Sequence, residues 1–288
     1  MSDAAATTTD SRSRALCVVG TCGLIWVEGP DAASFLHGLV TCNVSGLAVG
    51  EGHLALLLDA RGHISAPLQI VRDDASSFTV ITDPATADGL FADLERFHFS
   101  EDLVLLGPEQ AGTVTTDVAD AAGLDGVRAP GWMPGTVTVV VDDPAAAAAQ
   151  LAVPPAGIDE AERLRIRAGV PRIGVDTGPK TLVQEALLTD RVVDFTKGCY
   201  LGQETVARAQ HRGQVNRFLR GLVAAGPLPT GGDVRDGDRV IGTVTSVAAD
   251  PELGVIGLGI LRRDVADGAA VTVGPSAVPA TIRPLPLS

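Results

Sequence analysis

Aromatic side chains are scarce in this sequence: they make up 3% of it, and Tyr200 is the sole tyrosine. A core built without them has to come from Val, Leu, Ile and Ala. Positive charge is also in short supply. The formal net charge is -13, which excludes a broad basic track for nucleic acid or anionic lipid and leaves room for a local basic pocket. No apolar run approaches the roughly 18 residues that a membrane helix needs. The opening MSDAAATTTDSRSR has no apolar stretch before its charges, so a secretory signal is not expected and a cytoplasmic location is. None of the four cysteines forms a C-x-x-C pair, which argues against a zinc or cluster cage. Cys17, Cys22 and Cys42 sit in apolar surroundings and read as small buried hydrophobes.

What is present is a chain of 288 residues with regular punctuation by 33 glycines and 18 prolines, enough for two or three compact units. VEGPDAASFLHGLV reads as a strand, a Gly29-Pro30 turn and a helix with Phe35, Leu36, Leu39 and Val40 on one face. HLALLLDARGHISAPLQIVRDD reads as two strands about an Arg61-Gly62 turn. Its alternating Ile64, Ala66, Leu68 and Ile70 suit a half-buried strand. SFTVITD adds a third strand, after which Asp83 is placed as a helix cap with Pro84 at the first helical position. Leu90, Phe91, Leu94 and Phe97 form that helix's apolar stripe. DLVLLG and GTVTVVVDD supply further strands. VDDPAAAAAQLAVPPAG reads as a short helix and a Pro-rich connector, and IDEAERLRIRAG as a helix capped by Asp159 and closed by Gly169. Arg163, Arg165 and Arg167 alternate along it, so one ligand cannot meet all three, and most of them are expected to be solvated. Beyond Arg220, RVIGTVTSVA, GVIGLGILRRDV, AAVTVG and ATIRPL are short strands divided by Gly, Asp and Pro, the pattern of a small barrel. The class is α+β with mostly antiparallel sheets. The division runs as a disordered tail over 1–14, an α+β half over 15–156, a central segment over 157–218 and a β-barrel over 219–288.

One stretch carries a chemical signal: TKGCYLGQETVAR, from Thr196 to Arg208. Gly198 and Gly202 permit unusual backbone geometry. Cys199 stands next to Lys197 and near the start of a helix, and both influences favour a thiolate. On residue types alone, a packed turn explains the segment as well as a function does. Tyr200 suits stacking on a flat ligand or an ordinary core position.

The run KGCYLGQE resembles the signature of the folate-binding YgfZ family, relatives of the glycine-cleavage T-protein. Lys197, Gly198, Cys199, Tyr200, Gly202, Gln203 and Glu204 all match it. VEGPDAASFLHGLVTCNV, RLRIRAGVPRIGVD and IGTVTSVAADPELGVIGLG resemble further segments of that superfamily, in the right order. The resemblance implies a three-domain ring around a central channel that binds tetrahydrofolate or a derivative. It implies that Glu185, in KTLVQEALL, accepts the pterin's N–H donors, and that Arg217 lies at the barrel entrance near the folate. Lys197, Tyr200, Gln203 and Glu204 are carried over as cofactor-binding and Cys199 as the reactive thiol, with no metal site. Where the T-protein has adjacent acids beside the reacting folate nitrogen, this chain has Ala66 and Pro67, which cannot transfer a proton. Asp59 and His63 are the nearest ionisable substitutes. The implied role is a monomeric accessory protein for iron–sulfur enzymes or their assembly factors. It would act on tRNA modification indirectly, without touching nucleic acid or membrane. The alternative is a folate-dependent one-carbon transferase.

Overall fold

The computed structural model describes residues 16–213 and 215–288; the tail expected over 1–14 lies outside them. Seven strands form one antiparallel sheet. They are β1 (Cys17–Glu28), β2 (Gly52–Leu58), β3 (Ile64–Arg72), β4 (Ser77–Thr82), β5 (Val104–Asp117), β6 (Val127–Pro130) and β7 (Thr136–Val141), in the order β2-β3-β4-β1-β5-β7-β6. Helices α1 (Ala32–Leu39) and α2 (Ala87–Phe97) cover one face. Ile25, Leu68, Phe78 and Val80 of the sheet pack there with Leu36 of α1 and Leu94 of α2.

The other face is also buried, because the sheet curls until β6 lies against β2 and β3. Cys22, Leu24, Val71, Ile81 and Ala129 fill the inside of the curl. Strand β3 is therefore buried on both faces, not half-buried as its alternation suggests. Ala66, Leu68 and Ile70 face the helices, and Val71 faces the curl. Two expected helix starts also shift. Asp83 accepts the Ala85 amide at 2.9 Å in a turn that precedes α2. Asp159 lies inside the first turn of α4 (Ile158–Ala168), whose cap position is Gly157. The start of α3 (Pro144–Ala148) is better marked: Asp143 accepts the Ala145 and Ala146 amides, each at 3.0 Å.

Two short helices, α5 (Thr189–Val192) and α6 (Gln203–Arg212), follow α4. The chain ends in a closed six-stranded antiparallel barrel of β8 (Arg217–Ala224), β9 (Asp233–Asp236), β10 (Arg239–Asp250), β11 (Gly254–Arg262), β12 (Ala270–Val273) and β13 (Val278–Arg283). Sequence pattern alone yields four of these strands. β8 and β9 complete the closure.

Helix α4 is clamped to the barrel by the arginines expected to be solvated. Arg163 and Arg167, four residues apart, share a face and both reach Asp250, at 2.9 and 3.2 Å. Arg165 points elsewhere, to Asp176 at 2.7 Å and the Ser246 hydroxyl at 2.7 Å. Part of the compensating charge comes from Glu160 and Glu162 three residues back on the helix, and part from Asp176 and the distant Asp250, which the helix pattern cannot reveal. No helix among the described residues is long and apolar enough to cross a membrane.

Candidate functional site

A cavity of about 410 Å³ opens at the end of the curl, where the sheet meets α4. Its floor follows from strand periodicity. Val18, Thr115 and Thr138 stand in one cross-strand row of β1, β5 and β7, and Thr113 lies two residues along β5 on the same face. Thr115 and Thr138 share a hydrogen bond at 3.0 Å. Pro67 and Gln69 of β3 add to the lining, and Trp132 and Met133 form part of a wall. The remaining wall comes from Ile158, Glu162 and Arg165 of α4 and from the Pro171–Ile173 loop.

The charges on this wall are spent on one another. Arg165 grips both oxygens of Glu162, at 2.9 and 2.6 Å, and Arg172 donates to one of them. Burial pushes the Glu162 carboxyl upward, but the bonds and charges of Arg165 and Arg172 outweigh it and hold it below the usual range. The Cys22 thiol on the lining is pushed up to about 11 by burial, so it stays protonated at neutral pH. Neither Asp59 nor His63 lines the cavity. Asp59 caps its own hairpin turn, accepting the amides of Arg61 and His63 and the His63 ring at 2.9 Å.

The signature segment lies elsewhere. Lys197 is buried. Its ammonium donates to the carbonyls of His37 and Val40 at 2.6 Å and of Cys42 at 2.8 Å, and sits 5.0 Å from the Tyr200 ring centroid. Burial pulls its pKa down to about 8, against the opposing fields of Cys42 and Asp194. Three carbonyls at the end of α1 thus draw the Lys197 cation inward, a destination that its place next to Cys199 in the sequence does not indicate. Cys199 is exposed, while Cys17, Cys22 and Cys42 are buried. Tyr200 is buried in an apolar layer with Leu56, Leu58, Val183 and Val206, and burial pushes its hydroxyl up to about 12. Gln203 accepts the Tyr200 amide at 3.2 Å, and Glu204 is exposed and paired with Arg208. Tyr200 and Gln203 border a separate cleft with Asp194, Phe195 and His211.

Glu185 is buried, not a solvated surface group. Its carboxylate accepts the Leu182 amide at 3.0 Å and lies 3.6 Å from Arg217, while its carbonyl accepts the Leu219 amide at 2.7 Å. It ties its loop to the start of the barrel. None of Glu185, Lys197, Cys199, Tyr200, Gln203, Glu204 and Arg217 lines the cavity. The structure groups Lys197 with Tyr200 and Gln203, and Glu185 with Arg217. Trp132 and Ile173 line the cavity and pack on the layer that holds Tyr200, so the signature backs its wall.

Two glycines make that backing tight, Gly202 of the signature and Gly62 of the β2–β3 turn, whereas Gly198 has no positive φ. Gly202 has φ +79°, and an added Cβ would stand 2.6 Å from the Asp59 carbonyl and 3.0 Å from the Gly62 Cα. Gly62 has φ +81° and faces Thr205. Gly202→Ala is therefore expected to cost about 2–4 kcal/mol through strain and overlap with the β2–β3 hairpin. A urea unfolding midpoint unchanged from the parent would contradict this close approach.

The cavity residues Gln69, Thr113, Trp132, Glu162, Arg165 and Arg172 were not singled out as ligand contacts from the sequence. The threonines carry a signal: Thr113 and Thr115 flank Val114 at a spacing of two, which puts both hydroxyls on one face of the strand.

The profile of the GCVT N-terminal domain matches residues 7–121. A tRNA-modifying protein YgfZ from Edwardsiella ictaluri is 30% identical over 91% of this chain and 89% of its own length. The chain belongs to the YgfZ family. An aminomethyltransferase from Streptomyces avermitilis is 29% identical to this YgfZ-family chain, over 81% of it and 73% of the relative. A mitochondrial iron–sulfur cluster assembly factor IBA57 homologue from Neurospora crassa is 28% identical, over 68% of the chain and 50% of the relative. The crystal structure of glycine cleavage system aminomethyltransferase T from Bartonella henselae superposes with a TM-score of 0.80 at 22% identity, covering 95% of this chain and 86% of that one. At that identity the likeness shows the fold.

Proposed function

We propose that this YgfZ-family chain is a tetrahydrofolate-binding accessory protein for the assembly or maintenance of iron–sulfur enzymes, acting on tRNA modification through them. The names borne by its YgfZ and assembly-factor relatives support the second half of that reading. The cavity supports the first. Its volume falls in the range of small-molecule sites. Apolar walls with a flat indole and a thioether, above a floor of hydroxyls and one amide, fit a flat heterocycle carrying a few polar edge atoms. When bound, the folate would supply a carrier for one-carbon units, and this chain's residues would hold and shield it.

The observation that carries the choice of accessory protein over transferase is the poverty of free acid on the cavity floor. Pro67 lines the cavity, and Ala66 packs into the helix-facing core. Both Glu162 oxygens are committed to guanidinium groups, and one oxygen of Asp83 accepts the Ala85 amide of its own turn. Of the carboxylates on the lining, only one oxygen of Asp83, at an exposed rim position, is left uncommitted, and the strand positions Ala66 and Pro67 offer none. Incubation with tetrahydrofolate and aminomethyl-lipoyl carrier protein is expected to yield no methylenetetrahydrofolate above background. Measurable formation would establish the transferase reading instead.

Cys199, exposed outside the cavity, is assigned the contact with a client's sulfur, metal or redox group. Cys199→Ser is expected to shift stability by less than about 0.5 kcal/mol, since the side chain is solvent-facing. It is also expected to fail to restore iron–sulfur enzyme activities in a strain lacking the native protein under oxidative stress. Full complementation would remove the thiol from the function.

A further inference from the structure

Gln69 is a buried amide in the middle of β3, with 5% of its surface exposed, and it lines the cavity. Its Nε2 donates to the Pro130 carbonyl at 2.6 Å. A carbonyl can only accept, so this contact fixes which end of the amide is nitrogen and which is oxygen. The other end, Oε1, meets no protein donor among the described residues. It is not sealed either: the one fully buried side-chain polar atom without a partner there is Gln184 Oε1. The open space that Gln69 borders is the cavity. An acceptor and the second N–H of the same amide are therefore free beside it, while the carboxylate of Glu162 on the α4 wall is consumed by Arg165 and Arg172.

We infer that Gln69 reads the ring edge of the bound heterocycle and selects a lactam, an N–H beside a C=O, over an amidine. The inference rests on the folate reading of this cavity. A primary amide and a lactam are complementary: Oε1 accepts the ring N–H, and the free Nε2–H donates to the ring oxygen. A pterin with a 4-oxo group has such an edge. A 4-amino pteridine replaces the oxygen with a donor and the ring N–H with an acceptor, which sets donor against donor and acceptor against acceptor. A buried polar group left without a partner is costly, so the discrimination is large for so small a chemical change. The anchor on Pro130 also explains why the curl matters, since β6 holds the amide in one orientation toward the ligand.

The test uses the full chain, calorimetric titration, and two probes that differ at this ring edge alone: folic acid and its 4-amino counterpart aminopterin, with tetrahydrofolate run beside them. The parent protein is expected to prefer folic acid by at least about 10-fold, and Gln69→Met to bind it about 10-fold more weakly with the preference reduced below about 3-fold. A merely structural Gln69 would leave that ratio unchanged. Should Gln69→Met not fold, Gln69→Asn, which withdraws the amide by one carbon, carries the same expectation. Equal affinity of the parent for both probes, or a preference that survives in the variants, overturns the inference while leaving folate binding intact. A parent protein that binds neither probe nor tetrahydrofolate overturns the folate reading, and this inference with it.

Discussion

Replacing Lys197 by methionine is expected to destabilise the protein by about 3–5 kcal/mol. Methionine keeps much of the length and volume of the side chain and donates nothing. The carbonyls of His37, Val40 and Cys42, which the ammonium meets at 2.6–2.8 Å, are then left at the end of α1 with no donor in its place. Each buried carbonyl without a partner costs about 1–3 kcal/mol, and partial relaxation keeps the total below the simple sum. The loop before Tyr200 should also loosen, because Lys197 fastens it to α1 together with the Leu201 amide on the Gly38 carbonyl at 3.1 Å. Urea unfolding followed by circular dichroism measures the effect, with Cys199→Ser as the control that should show none. A loss below about 1 kcal/mol would mean that the signature lysine is kept for some other purpose than holding this turn.

Asp176→Ala is the second large effect. This carboxylate is 2% exposed and accepts from Arg165 at 2.7 Å, the Arg172 amide at 2.8 Å and the hydroxyls of Thr245 and Ser246 at 2.5 and 2.7 Å. Its removal leaves one buried cation short of a partner and the Ser246 hydroxyl and the Arg172 amide without their acceptor, while the Thr245 hydroxyl retains the Leu258 carbonyl at 3.1 Å. Breaking a buried pair in this way costs about 3–5 kcal/mol. Asp176→Asn, which keeps an acceptor and loses the charge, should fall between. Because Arg165 forms part of the cavity wall, Asp176→Ala should weaken folate binding as well, whereas Lys197→Met acts from behind that wall. A calorimetric titration of Asp176→Ala with parent-like affinity would separate the ion-pair lattice from the site.

Much of this molecule can be read along the chain, and the limits are physical. Strands β2 to β4, the turn at Gly62, the end of α4 at Gly169 and the start of α6 depend on local pattern and backbone freedom, so sequence alone places them. The KGCYLGQE run identifies the family for the same reason. What stays hidden depends on partners far away in sequence. Lys197 finds its carbonyls 155 to 160 residues upstream, so its neighbour Cys199 is a poor guide to where its charge goes. Arg163 and Arg167 look like a solvated helix face until Asp250, more than 80 residues on, is brought to them. Gln69 is one polar residue in an apolar strand until the sheet curls and supplies Pro130, 61 residues later. Glu185, read as a pterin contact by resemblance, stands in a loop-to-barrel tie with Arg217, 32 residues on, which local pattern does not reveal.

The account stands on where a folate sits, and a crystal structure of the full chain with bound tetrahydrofolate tests this most directly. The expected result is ring density against Trp132 with its edge on Gln69, above the Thr113–Thr115–Thr138 floor and separated from Cys199 by the layer that contains Tyr200. Ring density against Glu185 and Arg217, or in the cleft bordered by Tyr200 and Gln203, would contradict it.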